Sequence, residues 1–376
     1  MTTIYLARHG EAEGNLYRRI HGHTDGLLTE RGERQAEALR RRFAALPVEA
    51  VWSSDLRRAA ATARAAAEPH GLPIRTTAAL REVSMGAWED KTWGEVQEEQ
   101  AEAYRLYLSS PDRWHVPGSE DWEALKARML SALSEIARAH EGQTVAVFSH
   151  GCAIRALVSA ILGVPGSEIS RIPYCGNTAL SCLKWENGAF SVAFYNDQSH
   201  LSPALTAPRQ HFGEGEPLRN LRLAPFDVIR EKERYLRRYE EAWVLSHGSA
   251  KGFSTIYHDK AVMRSLADPR SVMEADLNGV PAGMIELAPD SGAEENRGHI
   301  AFLCMDPAFR GRGLAVQLIG HAVFYYRALG REALRLRVNE RNDRAVRFYS
   351  AFGFRAVKRE KGIVGHVLIM EKRIAP

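Results

Sequence analysis

Along the first two hundred positions, short apolar runs alternate with longer stretches whose apolar residues recur at helical spacing. The runs TIYLA (3–7), EAVWSS (49–54) and TVAVFSH (144–150) are apolar on successive positions, the mark of strands buried on both faces of a parallel sheet. Between them, TERGERQAEALRRRFAAL (29–46) and DLRRAAATARAAAEPHG (55–71) are helical by composition and period. Thr29 and Asp55 are the expected N-caps of these helices. A third helix is predicted over 121–142, closed by Gly142. TALSCLKWENGAFSVAFYND (178–197) predicts a hairpin turning at Asn187-Gly188.

The pattern breaks at 201–220, where Pro203, Pro208, Pro217, Gly213 and Gly215 interrupt any period. We read a first domain over 1–201, a linker over 202–217 and a second domain over 218–376. In the second, LRLAPFD (221–227) predicts a short strand. FDVIREKERYLRRYEEAWVLSHG (226–248) predicts an amphipathic helix with Ile229, Leu236, Tyr239 and Trp243 inward and its Arg and Glu residues solvated. SVMEADLNG, PAGMIELAP and GHIAFLCMD predict an antiparallel meander, with the acidic PDSGAEENRG as an exposed loop before the last strand.

Composition narrows this picture only slightly. At 376 residues the chain exceeds one ordinary core, and 45% hydrophobic with 26% charged residues is globular composition. A net charge of +4 is too small to point to nucleic acid or a membrane surface. The four cysteines, 152, 175, 182 and 304, lack zinc-type spacing and read as reduced thiols. No apolar stretch approaches the length that spans a bilayer, and MTTIYLARHG lacks a signal-peptide pattern. The expectation is a soluble cytoplasmic protein.

The chemistry starts where strands end. LARHGEAEGN (6–15) and VFSHG (147–151) each place a histidine followed by glycine after an apolar run. In a parallel sheet, that is the edge at which ligands bind. Arg8 adjoins His9, and Arg57 and Arg58 open a helix whose first N–H groups are free for an anion. Two histidines and several arginines suit phosphate. LREVSMGAWED (80–90) supplies Glu82 as a proton donor to a leaving group.

In their order and spacing, LARHGEAEGN, SSDLRRAAATA, LREVSMGAWE and VFSHGCAIRAL resemble the histidine phosphatase superfamily. The likeness is to the branch containing cofactor-dependent phosphoglycerate mutase and fructose-2,6-bisphosphatase, and it covers residues 1 to about 200. It implies a three-layer α/β/α domain with a mostly parallel sheet. It makes His9 the nucleophile that forms a phosphohistidine, and Arg8, Arg58 and His150 the phosphoryl pocket. Glu82 becomes the proton donor and later the base for water, and Asn15 a contact to the phosphoryl group. No metal is expected, since these cations replace one. The stretch 91–122 is the expected lid. Its moderate length favours a phosphatase over a mutase.

A second loop carries chemistry. In CMDPAFRGRGLAVQLIGHAVFYYRALG (304–330), Gly311 and Gly313 precede a helical run, and Arg310 and Arg312 suggest an anion. Arg310, Gly313 and Ala315, together with Asn342, Ala345, Tyr349 and Gly353-Phe354, resemble the GNAT family of N-acetyltransferases over about 218–376. That resemblance implies a mixed α+β fold with acetyl-CoA as co-substrate. Backbone near Met305 would align with the pantetheine arm, where its strand splays from a neighbour. The Arg310–Ala315 loop, with Gly311 and Gly313, would hold the pyrophosphate. Asn342 would contact the cofactor arm, and Tyr349 would protonate the departing thiolate. Glu286 is a candidate general base, with water as the alternative.

The sequence therefore predicts a bifunctional enzyme acting on a small phosphorylated metabolite and a small amine. The alternatives are a phosphatase regulated by an acetyl-CoA sensor, and a phosphoglycerate-type mutase fused to an acetyltransferase.

Overall fold

A computed structural model describes residues 1–206 and 220–375. Most of the expected linker, 202–217, lies outside the described residues. The chain divides into two compact units. One holds the described residues of Met1–Lys91 and Glu99–Leu218, the other Thr92–Glu98 and the described residues from 220 onward.

In the first unit the elements run β1 (Thr2–Arg8), α1 (Glu13–Tyr17), α2 (Glu30–Phe43), β2 (Ala50–Ser54), α3 (Arg57–Ala67) and β3 (Ile74–Thr77). After α4 (Trp93–Glu99) come α5 (Ala101–Ser109), α6 (Trp122–Ala139), β4 (Thr144–Ser149), α7 (Gly151–Leu162), β5 (Leu180–Glu186) and β6 (Ala189–Asp197). The sheet order is β3-β2-β4-β1-β5-β6. β3, β2, β4 and β1 are parallel, and β5 and β6 add an antiparallel hairpin. Its turn has left-handed Asn187 and Gly188 (φ 51° and 82°), as the twist of paired strands favours. Phe43, Val51, Ala63, Ala66 and Phe148 form a core between the sheet and α2 and α3. The architecture is the expected α/β/α. In register, Arg8 lies opposite Ser149, so His9 and His150 leave adjacent strands at the same level.

Thr29 caps α2 through the Gly32 N–H at 3.0 Å. Asp55 does not cap α3, whose N-cap is Leu56. Its carboxylate instead takes both arms of Arg81 at 2.7 and 2.5 Å, because a bidentate guanidinium satisfies more of it than one N–H would. The C-cap of α6 is His140, with Gly142 two residues further on at φ 81°.

The second unit contains β7 (Arg222–Pro225), α8 (Lys232–His247), α9 (Ile256–Ala267), β8 (Val272–Leu277), β9 (Val280–Ala288) and β10 (Arg297–Met305). It continues with α10 (Val316–Ala328), β11 (Ala333–Asn339), α11 (Asp343–Ala351), β12 (Arg355–Lys361) and β13 (His366–Arg373). Strand order is β12-β13-β11-β10-β9-β8-β7, mixed as expected. β10 and β11 are parallel but pair only over Arg297–Ile300 and Ala333–Leu336. Beyond that, β10 stays with β9 as far as Met305 and β11 with β13 as far as Asn339, so the sheet splits.

Two expectations for α8 fail. Ile229 precedes the helix and is 60% exposed; Tyr235 is the fully buried residue in its place. Arg238 is not solvated either. It is 5% exposed and held by Asp306 at 2.6 and 2.8 Å and Glu274 at 2.7 Å, partners from two other elements that compensate its burial. Among the described residues, no helix is long and apolar enough to cross a membrane.

Candidate active sites

At the end of β1, the backbone of His9 is held on several sides. Its N–H donates to Ser149, and its carbonyl accepts from the Thr178 N–H at 3.3 Å and Asn177 Nδ2 at 3.1 Å. The next residue, Gly10, donates its N–H to Thr62 Oγ1 at 3.0 Å. His9 Nδ1 lies 2.7 Å from the Gly10 carbonyl. A carbonyl only accepts, so Nδ1 carries the hydrogen and Nε2 of the neutral ring keeps its lone pair. Burial, then the charges of Arg58 and Arg8, holds this imidazole well below the usual histidine range. The ring is neutral, and its Nε2 is left unprotonated.

His150 lies beside it, ring centroids 5.2 Å apart. It is fully buried, and neither ring nitrogen has a hydrogen-bond partner among the described residues. Such a group is costly unless a ligand oxygen arrives. Burial, then Arg58, His9 and Arg8, keeps it neutral as well. Arg8 donates to the Cys175 carbonyl at 2.6 Å while its buried Nε lacks a partner. Arg58 is 2% exposed and anchored by the carbonyls of Thr24 (3.0 Å) and Gly22 (2.7 Å), its pKa pushed down to about 10 by burial. Arg57 turns outward and pairs with Asp25.

Glu82 reaches the same place from another direction. Its carboxylate accepts the N–H groups of Ala153 (2.8 Å), Cys152 (3.1 Å) and Val83 (3.1 Å). The first turn of α7, which follows directly on His150, thus also fixes Glu82. Asn15 Oδ1 accepts from the Ala12 N–H at 3.0 Å and Asn177 Nδ2 at 3.3 Å. That leaves its NH₂ as the end able to meet a phosphoryl oxygen. The structure thus brings the buried His9, Arg58 and His150 together with the half-buried Arg8 and Glu82, and ties Asn15 to His9 through Asn177.

Sequence reasoning passed over the residues that hold this set. Asn177 bridges His9 and Asn15 and is 2% exposed. Thr178 sits at φ 56°, costly for a β-branched residue. Arg128 clamps the Glu82 loop through the carbonyls of Ala79 and Arg81 and the Glu120 carboxylate. Ser149 adds a bond to the Leu80 carbonyl at 2.8 Å. Thr62 and Ser149 lie inside the quoted motifs, but Asn177 and Arg128 carry no local signal.

In the second unit, the split between β10 and β11 opens a cleft of about 1270 Å³. Tyr349 lines it, 9% exposed; burial, with Cys304 nearby, pushes its hydroxyl well above the usual range. The phenol therefore holds its proton. Gly311 and Gly313 both have positive φ (74° and 73°), and a Cβ at either would meet nothing within 4 Å. The first donors of the α10 ladder are Gln317 to Leu314, then Leu318 and Ile319 to Ala315. The N–H groups of the preceding loop lie outside that ladder, so an open, donor-rich loop is present, as pyrophosphate requires.

Two expected cofactor contacts, Arg310 and Asn342, are engaged within the protein. Arg310 folds back on the Met305 carbonyl (2.8 Å) and toward Glu241 (3.4 Å). Asn342 caps α11 through the Ala345 N–H (3.1 Å) and donates to Ser246 (3.0 Å). Ala315 is the N-cap residue of α10. Glu286, 1% exposed, accepts from Tyr235 at 2.7 Å and pairs with Arg264. Burial raises its pKa while those partners oppose the rise. A residue not foreseen, His299, also lines the cleft. Burial, then Arg264, Arg337 and Arg335, pushes its pKa down to about 4. Among the described residues, no group of three or more His, Cys, Asp or Glu could hold a metal ion.

Residues 4–198 match the model of the histidine phosphatase superfamily (branch 1), and residues 225–354 that of the acetyltransferase (GNAT) family. The chain belongs to the histidine phosphatase superfamily and carries a GNAT acetyltransferase domain in its second half. It is similar to the probable phosphoglycerate mutase GpmB of Enterobacter sp. (strain 638), 33% identical over 216 residues, 54% of this chain and 98% of that protein. Among solved structures it is similar to YhfR of Bacillus stearothermophilus. The two are 32% identical with a TM-score of 0.52, over 53% of this chain and 99% of that one. Mycobacterial hydrolase 2 is 26% identical with a TM-score of 0.50, over 54% and 94%.

Proposed function

We propose that the protein hydrolyses phosphate monoesters through a phosphohistidine at His9 and transfers acetyl groups from acetyl-CoA to a small amine. The observation that carries the first activity is the Nδ1 bond of His9 to the Gly10 carbonyl, which leaves Nε2 bare beside His150 and two arginines. In this reading Nε2 bonds to phosphorus as the ester oxygen leaves, and that oxygen takes a proton from Glu82. Arg8, Arg58 and His150 stabilise charge on the equatorial oxygens. Glu82 then accepts a proton from water, whose oxygen displaces His9 and releases phosphate. The name of the GpmB relative supports a mutase as the second reading. Release of inorganic phosphate from 3-phosphoglycerate, with no 2-phosphoglycerate formed, separates the two.

For the second activity, the Gly311–Gly313 loop and the open edge of β10 are the groups that would hold the co-substrate. Acetyl-CoA supplies an acyl carbon with a thiolate leaving group. Tyr349 holds the proton that the departing sulfur needs. Both oxygens of Glu286 are engaged, so His299, which lines the same cleft, is a second candidate acceptor for the amine proton.

The test is a crossed pair of variants. His9→Ala is expected to abolish phosphate release and the acid-labile phosphoenzyme while leaving acetyl transfer intact. Tyr349→Phe is expected to cut acetyl transfer by about 10²-fold and leave phosphate release intact. Wild-type phosphate release by His9→Ala would remove His9 from the mechanism.

A further inference from the structure

We infer that the amine acetylated in the second unit carries an anionic group, a carboxylate or a phosphate, close to its nitrogen. This rests on the acetyltransferase reading above and narrows its acceptor. Six basic side chains line the cleft against four carboxylates. Two of the carboxylates are shared: Glu371 pairs with both Arg297 and Arg335, and Glu360 with both Arg337 and Lys358, while Glu295 pairs with Arg335 as well. Glu286 is taken by Arg264. Lys260, one helical turn before Arg264 on α9, lines the same cleft and has no ion-pair partner among the described residues. Its charge acts on Glu286, which places it on the same wall.

The consequence is a positive potential where the amine must lose its proton. His299 responds to that potential: Arg264, Arg337 and Arg335 add to burial in keeping it unprotonated. An acceptor ammonium is subject to the same field, which releases its proton and repels a second positive charge. An anionic substituent is attracted instead. The aromatic wall does not offset this for a cation. Tyr239 is stacked on both Tyr257 (4.7 Å) and Phe302 (4.1 Å), and Trp243 carries His247 at 4.0 Å. These stacks occupy ring faces that would otherwise bind an ammonium.

The experiment uses the full chain with saturating acetyl-CoA, whose binding is measured separately by calorimetry. The acceptors are β-alanine, O-phosphoethanolamine, ethanolamine and putrescine, with kcat/KM expressed per unprotonated amine. The expected result is a preference of about tenfold or more for an anionic acceptor over ethanolamine, with putrescine poorest. The first two acceptors distinguish carboxylate from phosphate. Lys260→Glu, at an exposed position, should lower the anionic-to-neutral ratio about tenfold. Ethanolamine or putrescine matching the anionic acceptors would overturn the inference and leave the acetyltransferase reading standing. Acetyl-CoA binding without acetylation of any amine would instead overturn that reading, and the inference with it.

Discussion

Glu82 shows how much one side chain depends on a helix it does not belong to. Its two oxygens accept from Cys152 and Ala153, so the turn that starts at His150 also aims this carboxylate. In Glu82→Gln the amide can replace one accepting oxygen but sets an NH₂ group against an N–H, and it has no proton to give. Hydrolysis of alkyl phosphates should fall by about 10²–10⁴-fold. An activated aryl phosphate, whose leaving oxygen is stable as an anion, should lose much less. Steady-state kinetics on glycerol phosphate and p-nitrophenyl phosphate give the comparison. Equal losses on both would leave protonation of the leaving group without support.

Among the elements, the loop from Arg310 to Ala315 makes the clearest case. Gly313 has φ 73° with open space where a Cβ would stand, so the obstacle to alanine is backbone conformation and not a clash. Gly313→Ala is expected to cost about 1–2 kcal/mol in that conformation. Calorimetry should show acetyl-CoA affinity reduced about tenfold, with phosphatase kinetics unmoved. Unchanged affinity would mean that the loop does not hold the co-substrate in this conformation. The strands and their terminal histidines were legible in sequence because apolar runs and following glycines are local signals. Arg238 was not: on α8 it looks like any solvated arginine, and Asp306 and Glu274, which bury it, lie far along the chain. Asp55 was misjudged for the same reason, since its stronger partner, Arg81, is supplied by tertiary structure. Asn177 has no pattern around it, yet it ties His9 to Asn15.

At the scale of the whole molecule, buried imidazoles set the response to acid. His9 and His150 titrate well below 6.5, and burial pushes His200 and His299 down to about 4. Unfolded, each would titrate near 6.5. Their contribution to stability is therefore complete above about pH 6.5. It is lost as the pH falls from there toward 4, because the unfolded chain takes up protons that the folded one refuses. Urea unfolding followed from pH 7 to pH 5 should show an uptake of more than about two protons near pH 5. Uptake below one would show that these rings are already protonated in the folded chain.

Seven residues bear on how the protein is made and how it could be rebuilt. Thr92–Glu98 is grouped with the second unit, where Thr92 Oγ1 donates to the Leu221 carbonyl and Glu98 pairs with Arg222. The chain therefore enters the second unit, leaves it, and returns after residue 218. During synthesis these seven residues emerge long before the rest of the unit they are grouped with. One cut within 202–217 would part Thr92 and Glu98 from Leu221 and Arg222 and so remove both contacts. A transplant of the second unit onto another chain would lose these contacts unless it carried the short segment as well.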